Sequence, residues 1–194
     1  SDVCSSDLQQ KIDETERNGR TRSVGLKGVI QGVTFEKSPT TGVGGACRFF
    51  FYEEAGIAPT MNTTYQFATP GMQMGDITTG IFIAAGSVGE LTQCEPLKNF
   101  IERPKSYGIY AVETDLFDDR KTVRECGLFI PEQWSMPPYI DEYGNSLVDD
   151  ALKALDEKFA RWKKELPPAD YQLKISQHPR NITEAFANRT VSIF

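Results

Sequence analysis

Residues 48–56 read RFFFYEEAG, so four consecutive aromatic residues run directly into two adjacent glutamates. A short, continuously apolar run is typical of a strand covered on both faces, as in the middle of a parallel sheet. Open parallel sheets bind their ligands beyond the carboxyl ends of the strands. We therefore expect residues 49–52 to form a central buried strand that places Glu53 and Glu54 at a ligand-binding edge.

Two further segments carry a similar apolar run. Residues 78–87 read TTGIFIAAGS and residues 107–113 read YGIYAVE, while residues 59–70 and 95–102 have the pattern of short helices. Strands that alternate with helices indicate an α/β domain with a parallel sheet. We therefore expect residues 49–52 to pair in parallel with residues 80–84, and residues 107–113 to form a third strand of the same type.

The remaining segments are less regular. Residues 9–22 are polar without a clear apolar face, which predicts a surface helix or a disordered end, and residues 26–35 predict a strand. Residues 113–145 are rich in Pro, Asp and aromatic residues, which is typical of irregular structure. Residues 171–176 (YQLKIS) predict a strand. Asn181 followed by Glu184 predicts the capped start of a short helix.

A long amphipathic helix is predicted ahead of Pro167 and Pro168. Its apolar residues recur at steps of three and four: Leu152, Leu155, Phe159, Trp162 and Leu166. Ser146 and Asp149 have the spacing of a capping box at its start. Its basic residues form either a solvated face or a contact with DNA. They are Lys153, Lys158, Arg161, Lys163 and Lys164.

Glu53 and Glu54 are the candidate chemical groups. Phosphoryl transfer from a nucleotide needs one carboxylate near Mg²⁺ and another group that orients the attacking water. Successive side chains of a strand point to opposite faces, so the two acids must lie where the strand gives way to a turn, which Ala55 and Gly56 permit. We assign Glu53 to Mg²⁺ and Glu54 to the water, in the form of a Walker B motif. The alternative is a strand end with two solvated charges.

Composition narrows the classes of function. The net charge of -6 argues against a broad basic surface for nucleic acid, although a local basic path remains compatible with it. No apolar run is long enough to span a membrane. Cys47, Cys94 and Cys126 show no C-x-x-C spacing, which favours reduced thiols that fill apolar space.

The first residues of the chain form a separate case. Residues 1–8, SDVCSSDL, resemble the translation of a sequencing-library adapter. Such segments do not belong to the fold of the protein that follows them. We therefore expect residues 1–8 to make no packed contacts.

Most of residues 25–194 carry a family resemblance. The stretch GVTFEKSPTTGVGGACRFFFYEEAGIAPTM followed by GIFIAAGS, with CGLFIPEQW, DEYGNS and ISQHPRNITEAFANRTVSIF downstream, resembles the large terminase subunit of tailed bacteriophages. That protein is the ATP-driven motor that packages viral DNA into a procapsid. The resemblance implies a P-loop NTPase fold of the ASCE (RecA-like) type, a parallel sheet flanked by helices. It divides the chain into the adapter-like residues 1–8, a partial ATPase core over 9–113 and a partly irregular helical lid or linker over 114–194.

The resemblance also implies a function and its components. Ala84, Ala85 and Gly86 would form the coupling motif beside the nucleotide, which links hydrolysis to movement, although the usual form has Thr or Gly residues there. ATP and Mg²⁺ would be the cofactors. The partners would be double-stranded viral DNA, the portal protein, the small terminase subunit and further copies of the chain in a ring. The motor would act in the cytoplasm of the infected bacterial host and would not be secreted.

Two parts of the family pattern that bear on activity are missing from the chain. It contains no G-x-x-x-x-G-K-[ST] sequence to cradle phosphates, and the family's nuclease domain would lie beyond residue 194. We therefore expect a piece truncated before its P-loop that is inactive alone as an ATP hydrolase. Two alternatives stay open: a non-catalytic prophage remnant that binds DNA or portal, and a helicase-like P-loop ATPase of another family.

Overall fold

The computed structural model describes residues 8–9, 12–15, 19–24, 29–35, 38, 40, 46–89 and 91–187. Within these ranges the chain is a mixed α/β protein. The strands are β1 (Leu8–Gln9), β2 (Ile12–Thr15), β3 (Thr21–Val24), β4 (Val29–Ile30), β5 (Phe49–Tyr52), β6 (Gln73–Met74), β7 (Ile77–Thr78), β8 (Ile81–Ala84), β9 (Val112–Thr114) and β10 (Arg124–Cys126). The α-helices are α1 (Met61–Ala68), α2 (Leu91–Glu102), α3 (Val148–Glu165), α4 (Pro168–Gln177) and α5 (Ile182–Ala185).

The described strands form two-stranded sheets, and one of these is parallel. β5 pairs in parallel with β8, in a register that runs from Phe49 opposite Ile81 to Tyr52 opposite Ala84. The pairs β1–β4, β2–β3, β6–β7 and β9–β10 are antiparallel. The predicted parallel pairing of residues 49–52 with residues 80–84 is therefore confirmed.

The predicted burial of this pair on both faces is wrong. Side chains alternate between the faces of a strand, and the inner face carries Phe50 and Phe82, whose rings stack at 5.1 Å. The outer face leaves Phe49 59% exposed and Ile81 61% exposed. Within the described chain neither strand has a second neighbour. The pair is consequently not the centre of a larger sheet in these ranges.

Residues 107–113 do not form a third parallel strand. Pro104–Tyr107 is a 3-10 turn, and Gly108 ends it in the left-handed conformation with φ of 66°. The strand begins only at Val112, and β9 then pairs antiparallel with β10. Proline at the first position and glycine after the last are local turn signals. Here they override the apolar run.

The predicted strand at residues 171–176 is wrong, because these residues lie inside α4. Pro168 occupies the first turn of this helix, where its fixed φ suits a helix start. Tyr171 and Ile175, four residues apart, then lie on one helical face and pack in the cluster around Leu155. The apolar period of four was the signal for a helix.

The amino-terminal predictions meet the structure in part. In place of the expected helix or disordered end within residues 9–22, β2 and β3 form an antiparallel ribbon. The strand expected over residues 26–35 is limited to Val29–Ile30, residues 31–35 are irregular, and residues 26–28 lie outside the described ranges. Residues 1–7 also lie outside them, and the backbone of Leu8 pairs with Ile30.

The predicted helices are largely confirmed, with changed starts. α1 lies within residues 59–70, and α2 begins four residues before the predicted start at residue 95. α3 buries Leu155 and Phe159, as its period predicted. The capping box at its start is wrong: the helix begins at Val148, and the Ser146 hydroxyl donates instead to the carbonyl of Trp134. None of the helices in the described ranges could cross a membrane.

The start of α5 follows the prediction more closely. The Asn181 side chain accepts a hydrogen bond from the Glu184 amide at 2.8 Å, which confirms it as the N-cap. The Glu184 carboxylate reaches back one residue further than a capping box requires and accepts from the Arg180 amide at 2.8 Å. The Asn181 amide also donates to Asp119 at 2.8 Å, which ties this helix start to the loop after β9.

Two apolar clusters hold the described elements together. The main core joins the ends of β5 and β8 to α1, α2, β10 and α5. Its fully buried members include Ala55, Met61 and Ile182. A second cluster joins α3 and α4 through Leu155, Phe159 and Ile175. The thiols of Cys94 and Cys126 are buried in the main core, and burial raises the pKa of both. They therefore fill apolar space, as the sequence suggested.

Arg180 links the two clusters. Its guanidinium pairs with Asp156 on α3 and with Glu184 on α5, and its Cζ lies 4.9 Å from the centre of the Phe159 ring. The hydrogen bond to Glu184 raises the pKa of Arg180, with Asp156 adding to the effect. Nearby, His178 Nδ1 lies 3.0 Å from a carboxylate oxygen of Glu132.

Candidate functional site

The site predicted from sequence lies where β5 and β8 end. Because Tyr52 is opposite Ala84 in a parallel register, Glu53 and Glu54 leave the sheet beside Ala85 and Gly86. The structure therefore brings the predicted site residues to one edge. Tyr52, the last residue of β5, anchors this edge in the main core, since its side chain is only 6% exposed.

Backbone hydrogen bonds continue past the last paired residues. The Ala85 amide donates to the carbonyl of Tyr52 at 3.0 Å, and the Ala55 amide donates to the carbonyl of Ala85 at 3.0 Å. Further on, the Gly89 amide donates to the carbonyl of Gly56 at 3.2 Å. The two loops are thus held side by side. The N–H group of Ala85 is used within the protein, so this residue has no backbone donor left to offer a nucleotide.

The turn that the acidic pair requires begins at Glu54 itself. Glu54 has φ of 54° and ψ of 36°, the left-handed region, and Ala55–Ile57 follows as a 3-10 turn. This lies one residue earlier than the Ala55–Gly56 turn predicted from the sequence. The strand's alternation of side chains stops at this point, so Glu53 and Glu54 are no longer constrained to opposite faces. Both side chains are exposed.

Two glycines allow the loops to approach this closely. A methyl group on Gly86 would lie 2.7 Å from the Ala55 nitrogen and 3.0 Å from the carbonyl carbon of Glu54. A methyl group on Gly56 would lie 1.8 Å from the carbonyl oxygen of Ser87. Sequence reasoning treated Gly56 only as a turn residue and missed its contact with Ser87. A glycine two residues after an acidic pair is the signal that could have indicated it.

The groups around the two carboxylates decide what kind of metal site they could form. Among the described residues, no lysine, arginine or histidine lies within ion-pair distance of Glu53 or Glu54. No group of three or more His, Cys, Asp or Glu side chains in those residues is arranged to hold a metal. Mg²⁺ is often bound by one or two carboxylates together with waters and substrate phosphates. Two exposed acids fit that use of Mg²⁺ and do not fit a cage made by the protein alone.

Ala84, Ala85 and Gly86 have no polar side-chain atoms to offer. Ala84 is half-buried and packs against the main core, whereas Ala85 and Gly86 are exposed. The first hydroxyl of this loop belongs to Ser87, which is also exposed. The side chains of these three residues could therefore contribute to the predicted cofactor site only by leaving space for a ligand.

A separate cavity of about 260 Å³ lies between α1, α2 and the turn at residue 107. Its lining is mainly polar and does not include the predicted site residues. The lining residues are Pro59, Asn62, Thr63, Thr92, Glu95, Pro96, Asn99 and Tyr107.

Basic side chains of α3 and α4 meet on one surface. The ammonium nitrogens of Lys158 and Lys174 lie 4.8 Å and 6.0 Å from the centre of the Trp162 ring, one from each helix. Trp162 in turn stacks on Phe159 at 5.8 Å. This arrangement, which the sequence did not reveal because Lys174 lies outside α3, concentrates positive charge on a chain of net negative charge.

Comparison with known proteins adds no identification: no protein-family model, curated protein or solved structure matches the chain significantly.

Proposed function

We propose that this chain is part of an ATP-hydrolysing motor of the large terminase type, which couples hydrolysis to the movement of double-stranded viral DNA into a procapsid. The observation that carries the proposal is the meeting of an acidic pair and a small-residue loop at the carboxyl ends of two parallel strands. Ligand sites of open parallel sheets lie at this edge. The sequence resemblance supplies the specific family.

The proposed roles follow from the geometry of the pair. Glu53, the first acid after β5, would hold Mg²⁺ that arrives with the nucleotide, directly or through water. Bound there, Mg²⁺ would neutralise developing charge on the phosphates. Glu54, which starts the turn, would accept a hydrogen bond from the attacking water and orient it. The phosphate-cradling loop would come from outside these 194 residues, since the chain contains no G-x-x-x-x-G-K-[ST] sequence.

The proposal extends to partners and place. The portal protein, the small terminase subunit and other copies of the chain in a ring would contact the motor in the cytoplasm of the infected bacterial host. The fold would be the P-loop NTPase type, of which β5 and β8 would be adjacent strands.

The test is a pair of substitutions in the complete reading frame. Glu54→Gln should keep ATP binding and lower turnover by about 10²- to 10⁴-fold, because the amide cannot act as the base. Glu53→Gln should instead raise the Mg²⁺ concentration needed for activity, because a neutral amide is a poorer ligand for a hard cation. The measurement is steady-state ATPase activity across a Mg²⁺ titration, beside nucleotide affinity.

Glu142→Gln provides the matched control, since Glu142 is an exposed glutamate in a different loop. It should leave both turnover and the Mg²⁺ requirement unchanged. Turnover near that of the unmodified protein in Glu54→Gln would reduce the acidic pair to a strand end with two solvated charges.

A second candidate function is non-catalytic binding of DNA. It is favoured by the convergence of Lys158 and Lys174 beside Trp162. Neutralising both lysines should weaken binding to duplex DNA and reduce its salt dependence, because each phosphate contact releases counterions. Fluorescence anisotropy at several salt concentrations measures this. An unchanged salt dependence would exclude this surface as the DNA contact.

A further inference from the structure

Glu54 has a backbone conformation that its side chain does not favour. Its φ of 54° lies in the left-handed region, which is unfavourable for a residue with a β-carbon. Such conformations persist only where the surrounding structure determines them. The contacts of the Glu54–Ala55 peptide group show what determines this one.

The α-carbon of Gly86 lies directly against that peptide group. The direction in which a β-carbon would extend from Gly86 is filled by backbone: the Ala55 nitrogen at 2.7 Å, the Glu54 carbonyl carbon at 3.0 Å and the Glu54 α-carbon at 3.1 Å. Backbone atoms cannot rotate away as the end of a side chain can. A methyl group on Gly86 would therefore have to displace the peptide group itself and change the backbone angles of Glu54.

The same peptide group is also held by a hydrogen bond. The Ala55 amide donates to the Ala85 carbonyl at 3.0 Å, and Ala55 is fully buried in the main core. The Glu54–Ala55 peptide is thus fixed by the hydrogen bond that it donates to the carbonyl of Ala85 and by the bare α-carbon of Gly86.

We propose that Gly86 is a positioning residue for Glu54: its missing side chain lets the β8 loop hold Glu54 in the left-handed conformation, which directs the carboxylate away from the strand. The functional meaning of this contact rests on the proposed ATPase role of Glu54. The backbone coupling between the two positions does not. Gly86 thereby acts through Glu54 and need not touch a nucleotide.

The experiment is a double-mutant cycle in the 194-residue chain, in which the stability of each variant is measured by urea unfolding. Gly86→Ala should raise the unfolding equilibrium constant about tenfold or more, as forced overpacking against backbone does. In a Glu54→Gly background the same change should have a several-fold smaller effect, because glycine accepts other backbone angles. A Glu54→Ala background removes the same carboxylate and keeps the backbone restriction, so there the full loss should remain.

Two further readouts keep the proposal testable. The Ala55 amide resonance should move in Gly86→Ala and stay in place in Gly89→Ala, whose added methyl would meet only the side chain of the exposed Ile57 at close range. Glu54→Gly should be more stable than Glu54→Ala even where Gly86→Ala does not fold. Equal losses in the two residue-54 backgrounds, an unmoved Ala55 resonance, or Glu54→Ala as stable as Glu54→Gly would each overturn the proposal.

In the complete reading frame, Gly86→Ala should lower kcat and leave KM for ATP nearly unchanged, whereas Gly89→Ala should alter neither. Full kcat in Gly86→Ala would count against positioning. Should Glu54→Gln prove active while the cycle shows coupling, the proposed function fails and the positioning stands. If the cycle is additive and Glu54→Gln is inactive, the positioning proposal fails and the proposed function stands.

Discussion

Two regions of the molecule differ in how their charged side chains are paired. The strand pair, β5 and β8 with the turns over residues 53–57 and 85–89, exposes an apolar outer face and a left-handed glutamate, and no cationic side chain of the described residues pairs with its two carboxylates. The helical region, residues 132–184, buries Leu155 completely and surrounds Arg180 with acceptors. Unfavourable backbone geometry tends to collect at functional sites, and satisfied interactions supply stability. The contrast therefore separates the part that carries the proposed site from a part whose interactions contribute stability.

The largest expected effect compares one apolar truncation in each region. Leu155→Ala should lower the free energy of unfolding by about 3 kcal/mol, since it leaves a cavity among Phe159 and Ile175. Ile81→Ala, on the outer face of the strand pair, should lower it by only about 0.5 kcal/mol, because that side chain is already mostly exposed. Urea unfolding followed by circular dichroism measures both. Similar losses would show that the outer face is covered in solution.

A smaller effect is expected from the ionic link between the clusters. Arg180→Met should lower the free energy of unfolding by about 2 kcal/mol, because Glu184 loses its partner in a partly buried setting, while the exposed Asp156 adds less. Lys153→Met is the control: Lys153 and Asp150 pair at the surface, where such a pair contributes about 0.3 kcal/mol. Equal effects on the melting temperature would remove the distinction between the two pairs.

The smallest effect concerns a carboxylate of the helical region that, unlike the acidic pair, is fully hydrogen-bonded. Hydrogen bonds from the side chain and backbone of Asn145, then from the backbone of Tyr143, lower the pKa of Asp141. Its contribution to stability is present above the unfolded pKa of about 3.9 and is lost as the pH falls through the lower folded value. Asn145→Ala should raise the pKa of Asp141, measured by carboxyl carbon NMR. Asn99→Ala should not, and an unmoved midpoint in Asn145→Ala would contradict the assignment.

The sequence predicted those features that depend on local pattern. The apolar face of α3 and the cap at Asn181 follow from residue period and from a single side chain, and the parallel pairing of β5 with β8 follows from two apolar runs with a helical segment between them. The prediction failed at residues 107–113 and 171–176, where apolar content was taken as strand and the flanking prolines and glycine were given too little weight.

The site shows the same limit. The sequence placed Glu53, Glu54 and the small residues 84–86 at one sheet edge, and the structure has them there. It could not show that Gly56 lies against Ser87 or that Gly86 lies against the Glu54–Ala55 peptide. Those contacts join residues about thirty positions apart, and neither the period of a strand nor the chemistry of one residue encodes them.

The pairing of β5 with β8 also has a kinetic consequence. The strands are separated by residues 53–80, which contain α1 and the β6–β7 hairpin, so the pair can form only after that length of chain has closed into a loop. Loop closure costs entropy before any distant contact compensates for it, and contacts of long sequence separation slow folding. The helices and the hairpin rely on neighbours in sequence and can form without that closure. We therefore expect the acidic turn to be among the last parts of the described chain to reach its native geometry during refolding.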